Sequence, residues 1–226
     1  MDAHFPVAAD TVINFYAYYP YQASLSNTLA SYELKDQIDI MYATPILNKG
    51  KMDVQTEANG STAIVALSFN HQLSAITIVI KKADDIKETL VLQKVELVNY
   101  PASVRMDIQT GQLTTSDTKT DYPIPLASPI TITPTEATVA TNYLLWPGEA
   151  PTFRFSISGH TYEVRPSQSF IAAKKQKYTF TIQAEDINVG ASINPWTEGP
   201  GGSGEIGIQE RTYLAPYSEK YVLLAK

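Results

Sequence analysis

Apolar and polar residues alternate with a period of two wherever a pattern holds, which predicts strands rather than helices. In residues 12–19, Ile13, Phe15 and Ala17 share one face and Tyr16 and Tyr18 the other, until Pro20 ends the run. Ile38, Ile40 and Tyr42 alternate with Asp39, Met41 and Ala43 as far as Pro45. Asn48, Gly50, Asn59 and Gly60 mark loops. Val65, Leu67 and Phe69 then occupy odd positions, whereas Ile76, Ile78 and Ile80 occupy even ones. The inward face changes parity between them, which predicts a β-bulge or a break near residues 71–74. Residues 90–100 are apolar on both faces at their start, as in a strand covered twice, and Val104, Met106 and Ile108 lead to a turn at Thr110-Gly111. Pro123, Pro125, Pro129 and Pro134 leave room only for short edge strands in residues 114–137. A further strand over residues 142–146 is closed by Pro147-Gly148.

The clearest hairpin covers residues 152–165. Phe153, Phe155 and Ile157 point one way, and a two-residue turn at Gly159-His160 pairs Ile157 with Tyr162 and Phe155 with Val164. Glycine in the first turn position suits type II′. Tyr178, Phe180, Ile182 and Ala184 alternate inward against Lys177, Thr179, Thr181 and Gln183. No helix-period stretch exceeds about two turns, residues 84–88 offering one short turn.

Strands at this spacing, separated by Pro and Gly turns, predict an all-β fold of sandwich type. Residues 62–198 carry roughly seven strands, the complement of one sandwich domain. Residues 1–61 supply two or three, so they form part of another β domain. Gly199-Pro200-Gly201-Gly202-Ser203-Gly204 is a flexible linker. It opens a segment, residues 199–226, that carries a last apolar run, Tyr221, Val222, Leu223, Leu224 and Ala225.

Composition narrows the function. The chain has 226 residues, 44% hydrophobic and 18% charged, which is globular rather than disordered. Lys plus Arg is 17 and Asp plus Glu is 23, for a net charge of −6. That balance argues against nucleic acid, whose binders need a basic face, and against anionic lipid. No apolar run approaches the roughly 20 residues of a membrane-spanning helix. The absence of cysteine removes disulfides, thiolate catalysis and Cys-ligated metals. The 14 tyrosines, with few charges, favour strands.

Four segments, taken in order, resemble one family. They are Phe15-Tyr16-Ala17-Tyr18-Tyr19-Pro20-Tyr21, Gln37-Ile38-Asp39-Ile40-Met41-Tyr42-Ala43, the segment from Leu67 to Ile76, and Tyr178-Thr179-Phe180-Thr181-Ile182 with Ile193-Asn194-Pro195-Trp196 beyond it. The family is the fimbrillin-like proteins, subunits of type V pili and related surface proteins of Gram-negative anaerobes. The resemblance implies tandem transthyretin-like β-sandwiches, here with the first incomplete. It implies export to the outer membrane and a place in a fimbrium at the cell surface. It also implies assembly by strand donation, in which a strand of one subunit completes the sheet of another. The expected partners are other pilus subunits, in a homo- or heteropolymer, with surface glycans as a second class. The residues 1–5 show no signal peptide, the family's lipid-attachment cysteine is lacking, and the first arginine is Arg105. The expectation is therefore a processed or truncated form.

Within that frame, residues 221–225 are the candidate donor strand, with the alternative that they fold back on their own sandwich. Tyr16, Tyr18, Tyr19 and Tyr21 form a candidate aromatic surface for sugar rings, the alternative being packing between domains. Trp146 and Trp196, each beside a proline, fit plugs at sandwich ends. His71 lies beside the expected bulge, where a hydrogen-bonded histidine is expected over a ligand or base. His4, His71 and His160 share no metal-like spacing. The pairs Asp36/Asp39 and Asp84/Asp85 match no calcium loop. No G-x-S-x-G, H-E-x-x-H or phosphate-binding glycine loop is present. The expectation is a non-enzymatic protein with no cofactor and no metal.

Overall fold

A computed structural model describes residues 12–49, 55–56, 63–183, 187–195 and 221–224. The period-two pattern becomes strands throughout: β1 (Ile13–Tyr19), β2 (Leu29–Glu33), β3 (Met41–Lys49), β4 (Gln55–Thr56), β5 (Ala63–Ile64), β6 (Phe69–His71), β7 (Ser74–Lys82), β8 (Leu90–Pro101) and β9 (Ser103–Asp107). The chain continues through β10 (Leu113–Thr115), β11 (Lys119–Ile124), β12 (Ile130–Ile132), β13 (Ala137–Leu145), β14 (Phe153–Ile157), β15 (His160–Val164), β16 (Lys174–Ile182), β17 (Ile187–Pro195) and β18 (Tyr221–Leu224). One 3-10 turn, Leu34–Asp36, is the helical exception among the described residues, so the fold is all-β. Residues 84–88 make a turn and no helix.

Two sheets hold the largest part of the core. One has the order β13-β7-β16-β17, with β16 parallel to β7 and the other pairs antiparallel. The other has the order β11-β8-β14-β15, with β12 on the same strand β8. Alternation sets their inner faces. Gln176, Tyr178, Phe180 and Ile182 of β16 are buried, as are Phe153, Phe155 and Ile157 of β14. The Phe180 ring lies 4.9 Å from Phe153 and 4.7 Å from Phe155, centre to centre, which locks the two sheets together. Gln176 is buried without cost because its amide is fully used. Its Oε1 accepts from Ile171 N at 2.7 Å, and its Nε2 donates to Ser169 O at 2.8 Å.

The remaining strands form a second group of sheets, with orders β18-β1-β3-β6 and β10-β9-β2 and a β4-β5 pair. β8 runs into β9 with Ala102 alone between them, and Ala102 O accepts from Leu34 N at 2.9 Å. One long path thus serves a sheet in each group. β9 pairs with β2, so residues on both sides of position 61 share a sheet. Gln37 ties the groups again. It sits in the left-handed region at φ +51°. From there its side chain donates to Leu34 O and Leu144 O and accepts from Leu144 N at 2.8 Å. A side-chain amide here supplies the pairing that the free edge of β13 would otherwise lack.

Several local expectations shift for identifiable reasons. The parity change falls at Gln72–Leu73, where β6 ends in one sheet and β7 begins in another. The hairpin turn is Ser158-Gly159, not Gly159-His160, so Phe155 pairs with Tyr162 and Phe153 with Val164. Both turn residues have positive φ, +48° and +84°, which is the twist of a type I′ turn rather than II′. A shift of two residues preserves parity, so the buried face is unchanged. β8 is covered on one face, not two. Two residues of β14, Ser156 and Ile157, span three of β8, Leu92 to Lys94, and the bulge turns Gln93 and Lys94 outward. β3 runs through Pro45, which lies between Ala43 and Ile46 where the register with β1 slips, so its missing N–H breaks no regular ladder bond.

Burial raises the pKa of seven tyrosines, Tyr18, Tyr32, Tyr42, Tyr100, Tyr122, Tyr143 and Tyr178. Tyr42 and Tyr178 are each pushed up to about 12, both mainly by desolvation. Their hydroxyls donate to backbone carbonyls, Tyr42 to Gln109 O and Tyr178 to Gln168 O. The stabilisation from keeping these phenols neutral is whole below their ordinary value of 10.0. As pH rises past it the unfolded chain sheds protons that the folded chain keeps, so stability falls. Alkaline titration followed by circular dichroism and tyrosinate absorbance should show unfolding between pH 10 and 12, with a cooperative burst of tyrosinate. Gradual ionisation of all 14 tyrosines with the fold intact beyond pH 12 would contradict this.

Candidate functional site

β1 becomes a strand because its aromatic and β-branched residues alternate, with one face buried and the other partly covered. Ile13, Phe15 and Ala17 are buried on one side, with Ala43 of β3 beside Ala17. Tyr18, paired with Tyr42, belongs to the main core on the other. With one face buried and the other half-covered, the strand's backbone edges are what it offers most regularly for recognition.

One edge is held by β3, and irregularly. Two residues of β1 face three of β3 twice in succession, between Ile13 and Phe15 and between Phe15 and Ala17. Asn48, at φ +55°, stands in this distorted stretch, and its N–H is accepted by Asn14 Oδ1 at 2.8 Å. The other edge carries β18. That strand lies parallel to β1, with Cα partners Asn14–Tyr221, Phe15–Val222, Tyr16–Leu223 and Ala17–Leu224. Of the expected donor strand, Tyr221, Val222, Leu223 and Leu224 therefore form a ladder within their own chain. Ala225 lies outside the described residues, as do Ala184 and Trp196.

The four tyrosines of the candidate aromatic surface are divided. Tyr18 is buried at 1% exposure, and its hydroxyl meets Gln22. Tyr16 and Tyr19 are half-buried, and Tyr21 is exposed at 40%. Tyr32 closes the loop after β1 by donating to Pro20 O at 2.9 Å. The group thus spans core and surface and forms no single exposed platform.

His71 ends β6, where it pairs with Met41, and its Nδ1 lies 2.6 Å from Asp39 Oδ2. Burial raises the Asp39 pKa, and the imidazole opposes that rise. The pair fastens the end of β6 to the turn before β3. Among the described residues no three metal-ligating side chains come together. No described helix is long and apolar enough to cross a membrane.

The apolar run at 221–225 is legible in the sequence as a strand, but the β1 edge it pairs with is not. The signal was present in part, since Phe15-Tyr16-Ala17-Tyr18 alternates cleanly. What pairs with it lies more than two hundred positions away, and no local pattern encodes that. Gln37 was missed for the same reason.

A family model described as fimbrillin-like matches residues 4–196. A protein of Bacteroides uniformis assigned as fimbrium subunit Fim1C is 28% identical over 223 residues, covering 92% of this chain and 68% of that protein. Among solved structures, one assigned as a cell adhesion protein from Bacteroides uniformis ATCC 8492 aligns with a TM-score of 0.56 at 20% identity. It covers 80% of this chain and 71% of that one. A fimbrial protein from Bacteroides vulgatus ATCC 8482 aligns with a TM-score of 0.55 at 14% identity, over 80% and 76% of the two chains. At such identities the structural likeness speaks for the fold.

Proposed function

The chain belongs to the fimbrillin-like family, and we propose that it is a non-enzymatic fimbrium subunit at the cell surface, joined to other subunits by β-strand donation. The observation that carries this reading is the parallel ladder of β18 on the outer edge of β1. Backbone hydrogen bonds give such a ladder its affinity, and the alternation of its side chains gives it register. The 25 residues from 196 to 220 span at most about 90 Å when extended. That reach lets the same strand lie on β1 of its own chain or of a neighbour. Exchange of an identical element between copies replaces one set of bonds with the same set, so its cost is small. The Fim1C relative supports the fimbrium assignment, since its name places it in one. β1, which carries that ladder, is the acceptor.

The test uses the full chain and a Val222→Pro/Leu223→Pro variant. Successive N–H groups of a strand point to opposite sides, so replacing two in a row removes a ladder donor in either phase. Light scattering should show oligomers that grow with concentration for the unmodified chain and a monomer for the variant. Equal masses for both at every concentration would sink the proposal.

A further inference from the structure

A cleft at one end of the larger sandwich is assigned no role by strand donation. It has a volume of about 520 Å³ and is lined by Asn99, Lys119, Trp146, Glu149, Thr152 and Arg165, among others. These residues come from the ends of β8, β11 and β13 and from the loops on either side of the β14–β15 hairpin. A second cleft of about 410 Å³ adjoins it and shares Glu149, Ala150 and Arg165. We propose that this cleft binds an acidic saccharide, a pyranose ring that carries a carboxylate.

Three observations lead there. The first is a half-buried indole in a polar surround. The backbone that carries Trp146 is fixed because Trp146 O accepts from the buried Tyr100 hydroxyl at 3.2 Å. Its Nε1 edge stands beside Gly148, where a Cβ would lie 3.4 Å from that nitrogen. Gly148 leaves this edge of the ring uncovered. An aromatic plate offers the C–H face of a pyranose an apolar seat, while its N–H is free for a hydroxyl.

The second is the surplus of donors. Arg165 donates from Nε to Ala150 O at 3.1 Å, and its NH2 pairs with Glu149 Oε2 at 2.6 Å. Lys119 and the Asn99 side-chain amide lack protein partners among the described residues. Lys119 and Arg165 against Glu149 give the lining one net positive charge, within a chain whose total is −6. The ligand that fits is therefore rich in acceptors and negatively charged. The Glu149–Arg165 pair adds an acceptor and a fork of donors for ring hydroxyls.

The third is the shape of the backbone. Asn99 has φ +52°, and Val98 and Asn99 bulge opposite Asp121 where β8 pairs with β11. Asp121 Oδ1 accepts from Asn99 N at 3.2 Å and holds the bulge. The strand is thereby bent at the rim of the cleft and the Asn99 side chain is left exposed. Bulges of this kind re-aim side chains next to sites.

The test is saturation-transfer NMR on the full chain, which reads ligand protons whatever the assembly state. The probes are glucuronate, glucose as the neutral ring, and acetate as the free carboxylate. Glucuronate should give a saturable transfer to its ring protons. Lys119→Glu should weaken its affinity about tenfold or more, the loss of one hydrogen bond between charged groups. Trp146→Leu should abolish the transfer to the ring protons, with circular dichroism to show that each variant is folded. Because Lys119 is exposed, its variant keeps the test decisive even if the Trp146 variant does not fold. No transfer, equal transfer to glucose or acetate, or an unchanged affinity in Lys119→Glu would overturn the assignment. Strand donation could fail its own test without affecting this result.

Discussion

Phe180→Ala is expected to remove about 4 kcal/mol of folding stability. Phe180 has no solvent exposure and lies on β16, which is paired on both sides, by β7 and by β17. Its ring meets both Phe153 and Phe155, themselves 6.1 Å apart and stacked. Truncation therefore leaves a cavity walled by two rings anchored on another sheet. A wall that belongs to two sheets cannot collapse inward without moving their backbones, so the cost stays near the top of the aromatic range. Domains hold only about 5–15 kcal/mol in total, so the variant should sit close to unfolding. Urea titration should lower the midpoint with little change of slope. Tyr162→Ala, an exposed position on the edge strand β15, should stay within about 0.5 kcal/mol and serves as the comparison. Equal losses at the two positions would refute the packing argument.

Gly111→Ala is the second large effect, at about 3 kcal/mol. Two costs add. Gly111 has φ +73°, a left-handed conformation that costs an L-residue roughly 1–2 kcal/mol. An added Cβ would also stand 2.3 Å from Tyr42 Cδ1, and such overpacking costs about 1–3 kcal/mol. The ring cannot swing aside freely, because Tyr42 donates its hydroxyl to Gln109 O at 2.8 Å in the same turn. Gly159 separates the two costs. It has φ +84° but nothing within 4 Å of the added carbon, so Gly159→Ala should lose only about 1 kcal/mol. A similar loss at both glycines would mean that the Tyr42 contact carries no weight. Tyr42→Leu combined with Gly111→Ala should recover part of the loss, measured by the same titrations.

These two sites show which parts of the fold were readable. The alternation of Phe153, Phe155, Tyr178 and Phe180 is local, so the buried face of β14 and that of β16 each follow from sequence, while their facing one another does not. The opposite parities of Phe69 and Ile76 are also local, and they locate the change of sheet at Gln72–Leu73. The hairpin register was not readable in the same way. Glycine at 159 is compatible with either turn phase, and the choice rests on Ser158 accepting a positive φ. There its Oγ accepts from Val91 N at 3.0 Å, across a sheet neighbour far off in sequence. Pro45 reads as a terminator unless the slipped register of β3 against β1 is known.

The same distinction governs the sites. The apolar run at 221–225 stands out after a glycine linker, so a strand there is legible, and residues 221–224 form one. Its acceptor edge, the Gln37 clamp on Leu144 and the cleft around Trp146 are each built by residues brought together only by tertiary structure. No spacing in the sequence joins Asn99, Lys119, Trp146 and Arg165. The aromatic run at Tyr16, Tyr18, Tyr19 and Tyr21 attracts notice in sequence, yet packing against Tyr32 and Tyr42 draws Tyr18 into the core.

Strand donation between subunits is tested most directly by disulfide trapping, since the chain has no cysteine of its own. Tyr16 and Leu223 are Cα partners in the ladder of β1 with β18. Adjacent strands lie about 4.8 Å apart, within the Cα separation that a disulfide bridges. Chains carrying Tyr16→Cys are mixed with chains carrying Leu223→Cys, each alone in its chain, and oxidised. Strand donation predicts a covalent heterodimer from this mixture and none when Thr114→Cys replaces Tyr16→Cys. Monomers from the mixture, with a bridge forming only inside a chain that carries both Tyr16→Cys and Leu223→Cys, would contradict it.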